Sequence, residues 1–340
     1  MVNAANKMRI LEGIRPDSLP LAQLLGDNRP VLLKGLAQDW GLVKAGKRSA
    51  LDAMNYLRSF YNGTIVGSSF ADPEIAGRLF YNNDFTKLNF NTTRGSMDDV
   101  LKNIEAHLHG ELPPTYYIAS LMVDLCMPGF RGENDLDFKS HGVDPPPIIW
   151  IGNRTTASAH YDAPSNIACV AVGKRRFTIF PPDQIFNLYP GPLEPTPGGQ
   201  AISVVDFKNP DFEKYPRFRE ALAVAQVAEL ESGDAIFIPS MWWHHVEGLN
   251  AFNVLVNYWW SSMPNYIPTP MYALYYAMWA LRDRPENEKQ AWRNVFEYYA
   301  FSSAQTAKEH LPEPARGLLN TVDDMKARQL RAMLLNFLNR

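Results

Sequence analysis

The sequence predicts a mainly β fold with added helices, and three observations carry that prediction. Between about 114 and 262, short β-branched and aromatic runs recur between Gly/Pro turns, which suits a sandwich, barrel or jelly roll. Residues 1–113 mix a strand pattern with helix-start signals and form an α/β lead-in. Residues 263–340 change to helical spacing, with many Tyr, Trp and Phe side chains.

In chain order, 30–36 reads as a short strand that ends in the polar stretch at Gln38 and Asp39. Ser49 is placed to cap a helix to about residue 60, with Leu51, Met54, Tyr56 and Leu57 as its apolar positions. A loop-rich, aromatic-dotted region follows. Ser96 opens a second helix, to about residue 107. Residues 116–120 are strand-like, and three prolines at 145–147 form a stiff entry to a strand over 148–151. Two strands, 166–172 and 175–180, flank a turn at Gly173 and Lys174. The proline- and glycine-rich stretch 189–199 reads as a surface loop, and 212–225 has room for a short helix. Strands over 226–230, 235–239, 242–246 and 252–260 complete the β region. Helices are expected over 271–281 and 291–301. A last helix carries Leu330, Met333, Leu334, Phe337 and Leu338 in an i, i+3, i+4, i+7, i+8 stripe.

Composition narrows the function classes. A net charge of −3 without a basic tract disfavours a nucleic-acid partner. The start, 1–7, lacks an apolar leader core, and no apolar run of about 18 residues suggests a membrane span. Two cysteines, Cys126 and Cys169, give neither a disulfide framework nor a CxxC pair. A reducing, cytoplasmic setting is expected.

The chemistry centres on His160-Tyr161-Asp162. Side chains alternate along a strand, so a His and an Asp two apart share a face. A histidine from another strand would complete a two-histidine, one-carboxylate triad, the ligand set of non-haem Fe(II) with open positions for other ligands. His244 and His245 both qualify, and alternation sends them to opposite faces.

The surrounding residues resemble a known family. After His160-Tyr161-Asp162 come Asn166, Phe180-Pro181-Pro182-Asp183-Gln184, Leu188-Tyr189-Pro190, Val205-Asp206-Phe207, Asn209-Pro210-Asp211, Ile238-Pro239, Trp242-Trp243-His244-His245 and Val256-Asn257-Tyr258-Trp259. This block, about 148–260, resembles the cupin-fold, JmjC-type Fe(II)/2-oxoglutarate oxygenases. The likeness is greatest to the asparaginyl hydroxylases that inhibit hypoxia-inducible factor and to their bacterial cupin-like relatives.

The resemblance implies a double-stranded β-helix, or cupin jelly roll, with its core at 114–262, inside an oxygenase domain spanning 1–262. It implies Fe(II) on His160, Asp162 and His244, with 2-oxoglutarate and O2 as co-substrates. Tyr117 and Arg175 would hold the distal carboxylate of 2-oxoglutarate, and Asn166 and Asn257 its metal-proximal end. Arg175 replaces a family lysine, and a guanidinium can bind a carboxylate bidentately. Ala157 replaces a family threonine, with Thr155, Thr156 and Ser158 as candidates for the missing hydroxyl. Asp124, Gln200 and Trp259 are substrate-contact candidates, although a loop role for Asp124 and a barrel-filling role for Trp259 stay open. The family's substrate-binding arginine is absent from 195–200.

The expected activity is hydroxylation of a C–H bond in a protein or peptide side chain or a small metabolite, releasing succinate and CO2. The alternative is a non-catalytic, metal-binding cupin that senses a ligand. The helices of 263–340 are expected to form a homodimer interface, because an apolar stripe on an already complete barrel needs a partner surface.

Overall fold

In the computed structural model, residues 7–339 are described. The start read above for a leader lies outside them, except for Lys7. The chain divides into two compact units, one ending at Trp260 and the other beginning at Ser261.

The first unit opens with β1 (Arg9–Leu11), α1 (Leu21–Asp27), β2 (Val31–Leu33), α2 (Gly41–Arg48) and α3 (Ala50–Phe60). As expected, Ser49 caps α3, its hydroxyl accepting from the Asp52 N–H at 2.9 Å. The region read as loop contains β3 (Val66–Ala71), β4 (Arg78–Leu79) and β5 (Asn91–Gly95). Exposed polar residues dominate β5, so no apolar alternation marked it. Ser96 caps α4 (Met97–Ala106), and β6 (Thr115–Met122) and α5 (Val123–Cys126) follow.

The remaining strands are β7 (Pro147–Gly152), β8 (Thr156–Tyr161), β9 (Ser165–Val172) and β10 (Arg175–Phe180). After α6 (Phe218–Val224) come β11 (Gln226–Leu230), β12 (Ala235–Ile238), β13 (Trp243–Gly248) and β14 (Asn253–Trp260). The β9–β10 turn needs Gly173. Its φ is +81°, and a Cβ there would lie 2.5 Å from Asn253 Oδ1.

These strands build two mixed sheets without a closed barrel. One has the order β1-β2-β12-β9-β14-β7-β6-β3-β5, the other β11-β10-β13-β8-β4. Between them, Phe177, Ile179 and Val246 from the smaller sheet meet Ala168, Val170, Ile236 and Leu255 from the larger. The far face of the larger sheet carries the main core, where Ile149, Ile167, Val254 and Val256 pack against Leu24, Val43, Met54 and Leu101 of α1–α4. The outer face of the smaller sheet buries Phe180 and Trp243 with Phe218 of α6. This two-sheet, mainly β arrangement fits the expected jelly roll.

The lead-in is part of the larger sheet. Buried Asp234, in the β11–β12 turn, accepts from the Gly35 N–H at 3.0 Å, the Glu231 N–H at 3.0 Å and Lys34 Nζ at 2.7 Å. A buried carboxylate with three donors is fully compensated, so it fastens β2 beside β12.

One irregularity shapes the site. On β13, His244 to Val246 is two residues, while their β8 partners, His160 and Ala157, are three apart. Ser158 and Ala159 therefore stand opposite His245 alone, a bulge on β8. It lets both Ala157 and His160 face the space between the sheets.

The second unit contains α7 (Pro270–Leu281), α8 (Glu286–Phe296) with a π-helical turn, Glu297–Phe301, and α9 (Asp324–Leu338). Thr269 and Asp323 cap α7 and α9. No residue of α7 or α8 is buried, although α7 reads PMYALYYAMWAL; Trp279 is 76% exposed.

Candidate metal centre

Strand β8 delivers His160, and Asp162 follows just past its end. Strand β13 delivers His244 opposite His160 in the pairing register. Their potential ligand atoms all lie within 4.8 Å of one another. The two imidazole centroids are 4.3 Å apart, and His244 Nε2 lies 3.5 Å from Asp162 Oδ2.

Backbone carbonyls set the imidazole tautomers. His160 Nδ1 lies 2.9 Å from the Ser158 carbonyl, and His244 Nδ1 lies 3.0 Å from the Trp242 carbonyl. A carbonyl only accepts, so each Nδ1 carries a proton, and in the neutral ring Nε2 is the nitrogen with the free lone pair. Burial, reinforced by His160 and opposed by Asp162, lowers the His244 pKa to about 4, so its imidazole is neutral at pH 7. Two imidazoles and one carboxylate suit a divalent transition metal.

His245 points the other way. It is buried, its ring stacks on Phe207 at 4.3 Å, and neither ring nitrogen has a hydrogen-bond partner. Burial lowers its pKa to about 3. Strand alternation thus separates two adjacent histidines, leaving His244 alone in the cluster.

The cluster lies on a cavity of about 420 Å³ between the sheets. Tyr117, Arg175, Asn166 and Asn257 line this cavity too, together with Gln200 and Trp259. Arg175 is only 3% exposed, and its Nε and Nη2 have no partner. Burial lowers its pKa, opposed by the neighbouring Tyr117 hydroxyl, whose own pKa burial raises. A buried guanidinium with open donors fits a carboxylate ligand. Its neighbours diverge, Lys174 pairing with Glu231 and Arg176 with Glu229 and Glu247.

The asparagines form a chain across the larger sheet. Trp150 Nε1 donates to Asn257 Oδ1 at 2.8 Å, and Asn257 Nδ2 donates to Asn166 Oδ1 at 3.1 Å. They join strands and line the cavity at once. Trp150 was not singled out from sequence. The available signal was that Ile149 and Ile151 face the main core, which turns Trp150 towards the cavity.

Ala157 faces the cavity, so the departure from the family threonine is in the wall itself. Thr155, Thr156 and Ser158 line the cavity too, and the buried Ser158 hydroxyl has no partner. Trp259 Nε1 donates to Asp162 Oδ2 at 3.1 Å, and Gln200 Nε2 lies 3.5 Å from Asp162 Oδ1. Asp124 is not among the lining residues; it lies on α5, 3.2 Å from Arg131.

Three relatives are similar over parts of the chain. Lysine-specific demethylase JMJ31 of Arabidopsis thaliana is 37% identical over 117 residues, 34% of this chain and 20% of its own. The tRNA wybutosine-synthesizing protein 5 of Gallus gallus is 37% identical over 105 residues, 31% of this chain and 30% of its own. Lysine-specific demethylase 8 of Xenopus tropicalis is 26% identical over 235 residues, 68% of this chain and 48% of its own. The chain thus spans from a fifth to about half the length of these relatives. The family model described as the cupin-like domain matches residues 16–266. That match takes in both sheets except β1 and every residue of the metal-capable cluster, and the chain belongs to the cupin-like domain family.

Proposed function

We propose that the chain is an Fe(II)- and 2-oxoglutarate-dependent dioxygenase that hydroxylates a C–H bond in a protein or peptide side chain or a small metabolite. The observation that carries this reading is one cavity with His160, Asp162 and His244 at one end and the buried, open guanidinium of Arg175 at the other. Bound there, Fe(II) with 2-oxoglutarate and O2 supplies oxidative decarboxylation to succinate and CO2 coupled to oxygen insertion into a C–H bond.

The chain's own residues have separable tasks. His160 and His244 present Nε2 lone pairs, held by their Nδ1 bonds, and Asp162 supplies the anionic ligand. Arg175 and Tyr117 would bind the distal carboxylate, and Asn166 and Asn257 the end near the metal. Phe177, Val246, Ile238 and Leu255 keep the wall apolar, which limits water and strengthens the polar contacts.

Two relatives are named as lysine-specific demethylases. For this chain, hydroxylation is favoured by the cavity lining, whose single carboxylate, Asp162, belongs to the metal cluster. Among the described lining residues no second carboxylate is left to pair with a methylammonium. The reading includes a cytoplasmic setting, supported by two buried free cysteines. No helix among the described residues is long and apolar enough to cross a membrane. It also includes a homodimer through the C-terminal helices, supported by the apolar surfaces of α7 and α9. Light scattering on the full chain tests the dimer.

The enzymatic reading is tested with N-oxalylglycine, a 2-oxoglutarate mimic. Thermal stabilisation by it should require Mn²⁺ as an oxygen-inert stand-in for Fe(II). Stabilisation without metal, or none with it, would sink the reading. Aerobic incubation with Fe(II), 2-oxoglutarate and a peptide or metabolite pool should then yield a gain of about 16 Da, one inserted oxygen.

A further inference from the structure

We propose that Trp259 is a positioning residue for the metal site, its indole N–H fixing the Asp162 carboxylate in a ligating orientation before any metal arrives. The inference rests on reading His160, Asp162 and His244 as metal ligands.

Asp162 needs such a constraint. It lies one residue beyond β8, where sheet pairing has ended. Its backbone is held, since the Met241 N–H donates to the Asp162 carbonyl at 2.8 Å and the neighbouring Ser240 hydroxyl donates to the Ala163 carbonyl at 2.6 Å. Neither bond orients the carboxylate, whose terminal torsion is broad and roughly two-fold. The histidines differ, because each ring is already fixed by a carbonyl from its own strand or its approach.

Two donors reach the carboxylate, and they are unequal. The Trp259 bond is 3.1 Å long, and an indole nitrogen can only donate. Trp259 lies on β14, paired with Asn166, and its ring packs edge-on against Trp150 at 5.8 Å. The donor is therefore mounted on a central strand and braced by a second ring. Gln200 lies 3.5 Å away, at the limit of a hydrogen bond, just past the proline- and glycine-rich excursion. Trp259 does the orienting and Gln200 adds little. Groups that orient metal ligands in this way typically change metal affinity by about 10–100-fold.

The test uses the full chain and Co²⁺. Trp259→Phe removes the N–H and keeps a ring against Trp150. It should weaken Co²⁺ binding about tenfold in calorimetry and shift the d–d absorption of the bound ion, which reports coordination geometry. Gln200→Leu should change the affinity by less than about threefold. A Trp259→Phe protein with parental affinity and spectrum overturns the inference, and so does a Gln200→Leu loss equal to or above the Trp259→Phe loss. The Gln200→Leu arm still decides if Trp259→Phe fails to fold, because the proposal then stands only if that loss stays below threefold. Parental protein that takes up no Co²⁺ overturns the metal-site reading itself, and this inference with it.

Discussion

The two ends of the cavity are built on opposite principles. At the metal-capable end the polar groups are engaged before any ligand arrives: His160 and His244 with carbonyls, Asp162 with Trp259 and Gln200. At the far end, Arg175 is buried, yet Nε and Nη2 have no partner. The difference teaches that burial alone does not define a site. A satisfied buried group holds a geometry, whereas an unsatisfied one raises the energy of the empty protein and lowers the relative energy of a liganded one.

The largest expected effect breaks this contrast at its open end. Arg175→Met removes a buried charge whose partner is a ligand. Binding of N-oxalylglycine in the presence of Mn²⁺ should weaken by about 2–5 kcal/mol, or at least about 30-fold. The ligand-free thermal midpoint should stay level or rise, because an apolar side chain replaces an unpartnered guanidinium. A large fall in the ligand-free midpoint would mean that Arg175 is structural.

The next effect falls between the ends. Asn257→Leu leaves Trp150 Nε1 and Asn166 Oδ1 without their bonds. Urea unfolding should show a loss of about 1–3 kcal/mol. A neutral result would mean that water replaces the amide and that the chain of amides does not brace the cavity.

A smaller effect separates the two histidines. His245→Phe should leave Co²⁺ binding unchanged and alter stability by no more than about 1 kcal/mol, in the stabilising direction, since it deletes two unpartnered nitrogens beside Phe207. Loss of Co²⁺ binding would place His245 in the metal site.

The smallest effect is a surface reference for both ends. Arg131 holds the Asp144 carboxyl below its usual range. Its stabilising contribution is therefore complete above the ordinary carboxylate pKa of about 3.9 and fades as pH falls through the lower folded value. In Arg131→Met, acid titration of stability should be flatter below about pH 4. An unchanged acid limb would show that exposure and solvent screening cancel the pair.

Much of the fold was legible because its signals are local. Ser49 and Ser96 announced their helices, and the β9 and β10 runs flank a glycine that only a positive φ explains. The missed elements lacked such signals. Strand β5 is exposed and polar, and α2 follows Trp40 with no side-chain cap. In the site, strand alternation separated His244 from His245 but could not choose between them; the resemblance made the choice, and His244 is the one in the cluster. The sequence offered Gln200 and Trp259 as substrate contacts, and their hydrogen bonds to Asp162 were invisible there because they join residues 38 and 97 positions apart. Asp124, offered as a substrate contact or a loop residue, lies on α5 and pairs with Arg131.

The extra residue in β8 has a further consequence, for how this chain tolerates insertion, deletion and alignment. It offsets the phase of the strand, so the inward positions at 157 and 160 are three apart instead of two. Deleting Ser158 or Ala159 would put these two positions two apart in a regular strand, where both still face the cavity and only the bulge is lost. A one-residue deletion at the bulge should therefore be tolerated better than one in the regularly paired part of β8, which would turn side chains to the other face. A relative whose spacing between these two inward positions is two lacks the bulge and has a differently shaped wall, even if its metal-binding tripeptide is identical.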